Sequence, residues 1–565
     1  MYRLRLLFPT ALTLLAACAP EPSEHYDVIL RAGHVIDGTG SAPRRADVGI
    51  RGDTIVAVGE IAAGDAGRVI DVGGLIVAPG FIDMHSHSDY TLLVDGRGLS
   101  KVMQGVTTEL LGESSSAGPV LGAAREDREK SLAQYELELD WATLGEYFER
   151  LERSGTSVNI LSTVASGLVR ASVVGYEDRE ATEEELERME TLVEEAMRDG
   201  AFGLSSGLIY PPNSYASTAE LVALAKVASR HGGFYLSHIR NESDGLLEAL
   251  EEAVRIGREA ELPVEVLHFK RSGVHLEGAA EEPTIQDAAA LIEKAQEEGV
   301  AIYADIYPYA ASQTTLSVRI PDWVHDGGRE KLLERLRDPG MRERIRREIG
   351  ADLSRSVGGS TADTILFGST PYEPHLQYQG RRINEIARDM GVDPAEAIIE
   401  LIDKADGLTR AIYFGMREED VRYALTLPWT TIGSDGTAVA PEGILARSHP
   451  HRRWYGTFPR VLGYYVREEN VLSLPEAVRK MTSLPASRLG LDDRGILAEG
   501  MKADIVVFDP ETIAERSTFA EPHQLAVGVQ WLFVNGDVVL EEGAHTGAMP
   551  GRVLRRAAPT TESKN

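Results

Sequence analysis

The chain holds a single cysteine among its 565 residues, Cys18, so no disulfide can form within it. Basic residues are also short: 58 Lys and Arg stand against 88 Asp and Glu, a formal net charge of −30. Charge of that sign disfavours a nucleic-acid partner and reads as a solvated acidic exterior, much of it on helical stretches such as residues 182–199. Low-complexity tracts are missing, and 43% apolar with 26% charged residues is an ordinary enzyme-like composition, which excludes bulk disorder. The apolar run at residues 6–15 is too short to span a membrane, which takes about 20 residues.

That run follows Arg3 and Arg5 and ends in Leu15-Ala16-Ala17-Cys18, the pattern of a bacterial lipoprotein signal peptide. The expectation is a cleaved signal over residues 1–17, a lipid on Cys18 and a tether over 18–25. The mature chain would then sit at the cell envelope, on the periplasmic or outer-membrane face, touching the membrane through its lipid only.

From residue 78 to 494 strand-like apolar runs alternate with amphipathic helices, as in a parallel α/β architecture. One unit shows the logic. Thr182 and Glu185 form a capping box, Leu186, Met189, Val193 and Met197 recur at helical spacing, Gly200 stops the helix, and residues 201–208 read as a buried strand. Further strands are expected at 81–87, 106–113, 158–165, 234–239, 264–269, 300–307 and 430–435. Eight strands with intervening helices predict a (β/α)8 TIM-type barrel, whose chemistry belongs at the C-terminal strand ends. Residues of about 310–428 read as an insertion after the seventh strand, and residues 26–77 and 495–545 as two halves of a small β-sandwich domain.

The strand ends carry the polar residues. His85 and His87, at i and i+2 after the first strand, point to one side, into the barrel mouth. His238, His268 and Asp435 end the fifth, sixth and eighth strands. Imidazoles and a carboxylate are what a borderline divalent ion such as zinc accepts.

With these residues stand longer segments: Val77-Ala78-Pro79-Gly80-Phe81-Ile82-Asp83, Gly203-Leu204-Ser205-Ser206-Gly207-Leu208-Ile209-Tyr210-Pro211-Pro212, Ser237-His238-Ile239-Arg240, Asp305-Ile306-Tyr307-Pro308-Tyr309 and Tyr455-Gly456-Thr457-Phe458-Pro459-Arg460. Through them the chain resembles the N-acyl-D-amino-acid deacylases, or D-aminoacylases, of the amidohydrolase superfamily. The resemblance implies that His238 and His268 hold a tight zinc, that His85, His87 and Asp435 surround a second, weaker metal position, and that Asp435 is the catalytic general base and acid. It also implies that Lys270, Tyr307 and Arg319 bind the substrate carboxylate. One departure matters: where the family commonly has a cysteine ligand after the second strand, this chain has Gly112-Glu113-Ser114-Ser115. A hydroxyl is a poor zinc ligand, so the role is assigned to Glu113, whose carboxylate can bridge two ions.

The implied reaction is zinc-dependent hydrolysis of N-acyl-D-amino acids, extending to dipeptides with a C-terminal D-residue. Hydrolysis of a cyclic amide or imide, and a non-catalytic envelope binding protein, are the alternatives.

Overall fold

The computed structural model describes residues 25–62, 66–273, 283–355 and 361–556. Cys18 and the signal segment lie outside the described residues.

Eight parallel strands form the central barrel. Phe81–Asp83 pairs with Val106–Leu111, which pairs with Asn159–Ser162. The third strand is broken at Thr163, and its second piece, Val164–Ala165, carries the pairing on to Gly203–Gly207. Phe234–His238, Val264–Val266, Ile302–Ile306 and Thr430–Ile432 follow in register. Closure between the eighth and first strands runs through a parallel bridge from Ser86 to Gly436, with Asp435 N donating to His85 O at 2.8 Å and His87 N to Gly436 O at 3.0 Å. The closing seam therefore lies among the polar residues at the mouth, not in the apolar barrel interior, where Ile82, Leu110, Leu161, Leu236 and Leu267 cluster.

The helices that cover the barrel begin where local chemistry stops the chain from extending. Thr182 and Glu185 exchange both capping hydrogen bonds at the head of Glu183–Asp199, and Gly200 ends it at φ 112°. Ser217 accepts from Glu220 N at the head of Thr218–Arg230, but the Glu220 side chain does not return the bond; it is drawn to buried Arg170 instead. Thr284 and Asp287 cap Ile285–Glu297 in the same reciprocal way.

A nine-stranded sheet joins the two ends of the chain. Its halves meet where Ile76–Pro79 runs antiparallel to Ile505–Phe508. Alternation sorts the side chains: Val77, Ile505, Val507, Trp531 and Phe533 enter the sheet's own core, while Ile76, Ala78, Val506, Phe508, Leu532 and Val534 pack into the core of the barrel. One sheet thus serves two cores. Residues past the sheet continue beneath the barrel, where Ile160 N donates to Arg552 O at 2.9 Å and Leu554 N to Ile160 O at 2.7 Å.

Between the seventh and eighth strands lies a unit with its own core. A three-stranded antiparallel sheet, ordered Ser312–Thr315, Arg410–Tyr413, Ile365–Ser369, packs with helices Gly328–Arg337, Pro339–Ser354, Ile383–Met390 and Pro394–Lys404 around Leu316, Leu336, Ile345, Phe367 and Ile398. Helix Glu418–Thr426, within the span read as insertion, contacts the seventh and eighth strands and so belongs to the barrel wall.

Candidate metal centre

All six expected ligands meet at the mouth. His85 and His87 follow the first strand with ring centroids 5.2 Å apart. Glu113 follows Gly112, whose φ of 94° and close approach to Thr163 O leave no room for a side chain. His238 is the last residue of the fifth strand; His268 and Asp435 lie just past the sixth and eighth, both in the left-handed region at φ 42° and 46°. Side chains of that kind at positive φ carry backbone strain that the surrounding structure must hold, a feature common at functional sites.

Glu113 stands at the centre. Its Oε2 lies 3.4 Å from His87 Nε2 and 3.9 Å from His85 Nε2, while Oε1 lies 3.7 Å from His238 Nδ1. Asp435 Oδ1 lies 3.1 Å from His87 Nε2, 3.8 Å from His85 Nε2 and 2.8 Å from Arg453 Nη2. His238 Nδ1 and His268 Nε2 are 2.9 Å apart.

Burial and the neighbouring charges together set the charge states. It pulls His238 down to about 3 and His268 well below the usual imidazole range, so both are neutral. Burial alone would raise the two carboxylates, but the imidazoles of His85 and His87 bring Glu113 to about 2, and Arg453 and His85 hold Asp435 well below its ordinary value. Burial also works against a charged His85, yet Asp435 and Asp305 outweigh it and lift His85 to about 10. Neutral His238 and His268 beside ionised carboxylates are in the forms that bind a cation, whereas His85, held protonated by Asp435 and Asp305, has to release its proton before it can ligate one.

Several of these buried atoms have no hydrogen-bond partner: both nitrogens of His85, Nε2 of His238 and Oε1 of Glu113. An unsatisfied buried polar atom costs about 1–3 kcal/mol, and a divalent ion among them would satisfy several at once. The donor set of imidazole and carboxylate fits zinc. Residues grouped closely enough to share an ion are His85, His268 and Asp435; His85, His87 and Glu113; and His238, Glu242 and His268.

Behind the ligands lies a buried cation. Lys101 Nζ reaches Asp83 Oδ2 at 2.6 Å, Ser434 Oγ at 2.8 Å and Gly436 O at 3.1 Å. Asp83 Oδ1 in turn accepts from Ser434 N at 2.8 Å and His85 N at 3.2 Å. This network pins the segment carrying His85 to the segment carrying Asp435.

The mouth opens into a cleft of about 1060 Å³ whose lining includes Glu113, His238, His268, Lys270 and Asp435. Lys270 Nζ lies 2.5 Å from Glu242 Oε1 and 2.8 Å from His268 Nδ1. Tyr307 is buried beside the cleft, with its hydroxyl 3.6 Å from Met416 Sδ and its ring under the Arg453 guanidinium. Arg319 stands elsewhere, in the inserted unit, over the ring of Tyr413 and outside the cleft lining. The guanidinium that does reach the centre is Arg453, which lines the cleft and has Nη1 buried without a partner. Arg453 and Glu242 were not foreseen. Glu242 stands four residues after His238, and Arg453 just before the Tyr455 to Arg460 segment, so each had a sequence signal beside it.

The amidohydrolase family model matches residues 68–540. D-aminoacylase of Alcaligenes xylosoxydans xylosoxydans is 37% identical over 538 residues, covering 95% of this chain and 99% of that protein. N-acyl-D-glutamate deacylase of the same organism is 36% identical over 541 residues, 95% of this chain and 98% of that one. Among solved structures, N-acyl-D-glutamate deacylase of Bordetella bronchiseptica, complexed with zinc and a phosphonate mimic of the tetrahedral intermediate, superposes with a TM-score of 0.79 at 33% identity over 94% of this chain and all of the other. A D-aminoacylase structure concerned with a binuclear metal centre gives 0.78 at 36% identity, with the same coverage. The chain belongs to the amidohydrolase family, within its group of D-aminoacylases and N-acyl-D-amino-acid deacylases.

Proposed function

We propose that this enzyme is a zinc-dependent hydrolase of N-acyl-D-amino acids. The observation that carries the reading is the meeting, at one barrel mouth, of four histidines, Glu113 and Asp435 with two cations, Lys270 and Arg453. The relatives named D-aminoacylase and N-acyl-D-glutamate deacylase support it.

His238 and His268 would hold the tight zinc; His85, His87 and Asp435 would surround a weaker second position. Glu113, with one oxygen toward His238 and the other toward His85 and His87, would bridge the two positions. A zinc held by these residues would supply a water of lowered pKa and Lewis-acid polarisation of the amide carbonyl. Asp435 accepts a proton from the attacking water and returns it to the departing nitrogen, so one carboxylate serves as base and then acid. The ion pair to Arg453 and the contact with His87 aim its Oδ1.

At the other end of the substrate, the α-carboxylate would take charge-assisted hydrogen bonds from Lys270 and Arg453, with the Tyr307 ring behind them. Arg453 takes the part first expected of Arg319, because it shares the cleft with Lys270. Fixing the carboxylate and the carbonyl leaves the side chain one direction to occupy, which selects one enantiomer.

Rates on paired D- and L-forms of N-acyl amino acids, each as free acid and as α-amide, test this. The D-acid should be hydrolysed and the other three should be poor substrates; equal rates on D and L, or on acid and amide, would contradict it. The envelope location remains part of the same proposal: a lipid on Cys18 would hold the enzyme where D-amino-acid fragments of cell wall are released.

A further inference from the structure

His238 and His268 meet edge to face, with ring centroids 4.4 Å apart. Their facing nitrogens, His238 Nδ1 and His268 Nε2, lie on the side of Glu113 and Asp435. Their opposite nitrogens look toward a single carboxylate. Glu242, on the loop leaving the fifth strand, places Oε1 3.0 Å from His268 Nδ1 and Oε2 3.9 Å from His238 Nε2, beyond hydrogen-bond length but facing a buried nitrogen that has no hydrogen-bond partner. The loop is held by Ser272 N, which donates to Glu242 O at 2.6 Å, so the segments after the fifth and sixth strands are tied together behind the two imidazoles.

Lys270 complicates this arrangement informatively. Its ammonium is 2.8 Å from His268 Nδ1 and 2.5 Å from Glu242 Oε1. An ammonium can only donate and a carboxylate can only accept, so the two make opposite demands on that nitrogen. A neutral imidazole carries one proton. Ligation through Nε2 places that proton on Nδ1, which satisfies Glu242 and leaves Lys270 to pair with the carboxylate oxygen alone.

We propose that Glu242 is the positioning residue of the metal centre. Its two oxygens face the outer nitrogens of His268 and His238, and by accepting from them when the ion is bound would fix the tautomers that turn His238 Nδ1 and His268 Nε2 toward it. This rests on the metal-centre reading above and adds to it the group that orients two of the ligands. Glu242 has no bond to the ion; it acts through the imidazoles.

Zinc affinity, measured by competition with a chromophoric chelator, tests the role without reference to turnover. Glu242→Gln should bind zinc about 10–100-fold more weakly than the parent chain, the range for loss of such a partner. Lys270→Met, which leaves the accepting carboxylate in place, should bind with parental affinity. Parental affinity in Glu242→Gln, or an equal loss in both variants, would overturn the proposal. A zinc-loaded crystal structure of the unmutated chain gives a second test that does not depend on a variant folding. The ion should sit on His238 Nδ1 and His268 Nε2 with Glu242 unbonded to it, and an ion bonded to Glu242 would overturn the assignment. An unmutated chain that binds no zinc would instead refute the metal-centre reading itself.

Discussion

At the scale of single residues, the proposed ligands and the proposed base would carry different loads and should fail differently. His238→Ala and His268→Ala should each lose tightly held zinc, whereas Asp435→Asn should retain it and lose about 10²–10⁴ in turnover, the usual worth of a positioned acid–base group. Elemental analysis beside a rate measurement separates the two: full zinc in either histidine variant, or near-normal turnover in Asp435→Asn, would contradict the roles. Glu113→Ala should lose metal and activity together while Ser114→Ala keeps both, because both Glu113 oxygens face imidazoles and the Ser114 hydroxyl is a poor ligand. That His85, His87, Glu113, His238, His268 and Asp435 gather at the mouth was legible in the sequence because each lies at or just past the end of a barrel strand. Glu242 and Arg453 were not: Glu242 stands on a loop and Arg453 opens the helix Arg453–Arg460, and although each lies beside a legible segment, spacing alone does not say that its side chain turns back toward the mouth. Arg319 shows the converse: it lies soon after the seventh strand in sequence, but the chain has by then entered a unit with its own core, and that core sets where the side chain goes.

Among elements, the barrel depends on the seam between its first and last strands. Lys101 is wholly buried between Asp83 and Glu109, and replacing it by Met would leave two buried carboxylates without their cation. The expected loss is about 3–5 kcal/mol, the range for breaking a buried pair by removing one partner. A denaturation midpoint within error of the parent would show that the seam does not depend on it. Thr182→Ala, at the mutual cap of Glu183–Asp199, should cost only about 0.5–2 kcal/mol, because the helix keeps its packed face of Met189, Val193 and Met197. Elements of this kind were readable because cap, apolar period and terminal glycine agree. The inserted unit was not, since its strands are short and pair across long stretches of chain: Ser312–Thr315 meets Arg410–Tyr413. Local sequence pattern does not encode which distant strand is the partner.

For the whole molecule, one sheet built from both ends of the chain packs one face on the barrel and keeps a separate core on the other, an arrangement hinted at by glycine-broken β-like runs at either end. The acidic surface and the single cysteine fit an enzyme that needs no disulfide and meets small substrates. Mass spectrometry of the mature N-terminus should find a lipid-modified Cys18; a chain that starts after Cys18, or carries it unmodified, would contradict the envelope location. The central claim, that the metal centre performs hydrolysis of N-acyl-D-amino acids, is tested most directly by stripping the purified enzyme with a chelator and restoring zinc while following release of the free amino acid from an N-acyl-D-amino acid and its L-enantiomer. Hydrolysis of the D-form should vanish with the metal and return with zinc, the L-form staying inert throughout; undiminished hydrolysis by metal-free enzyme, or none by zinc-loaded enzyme, would contradict it.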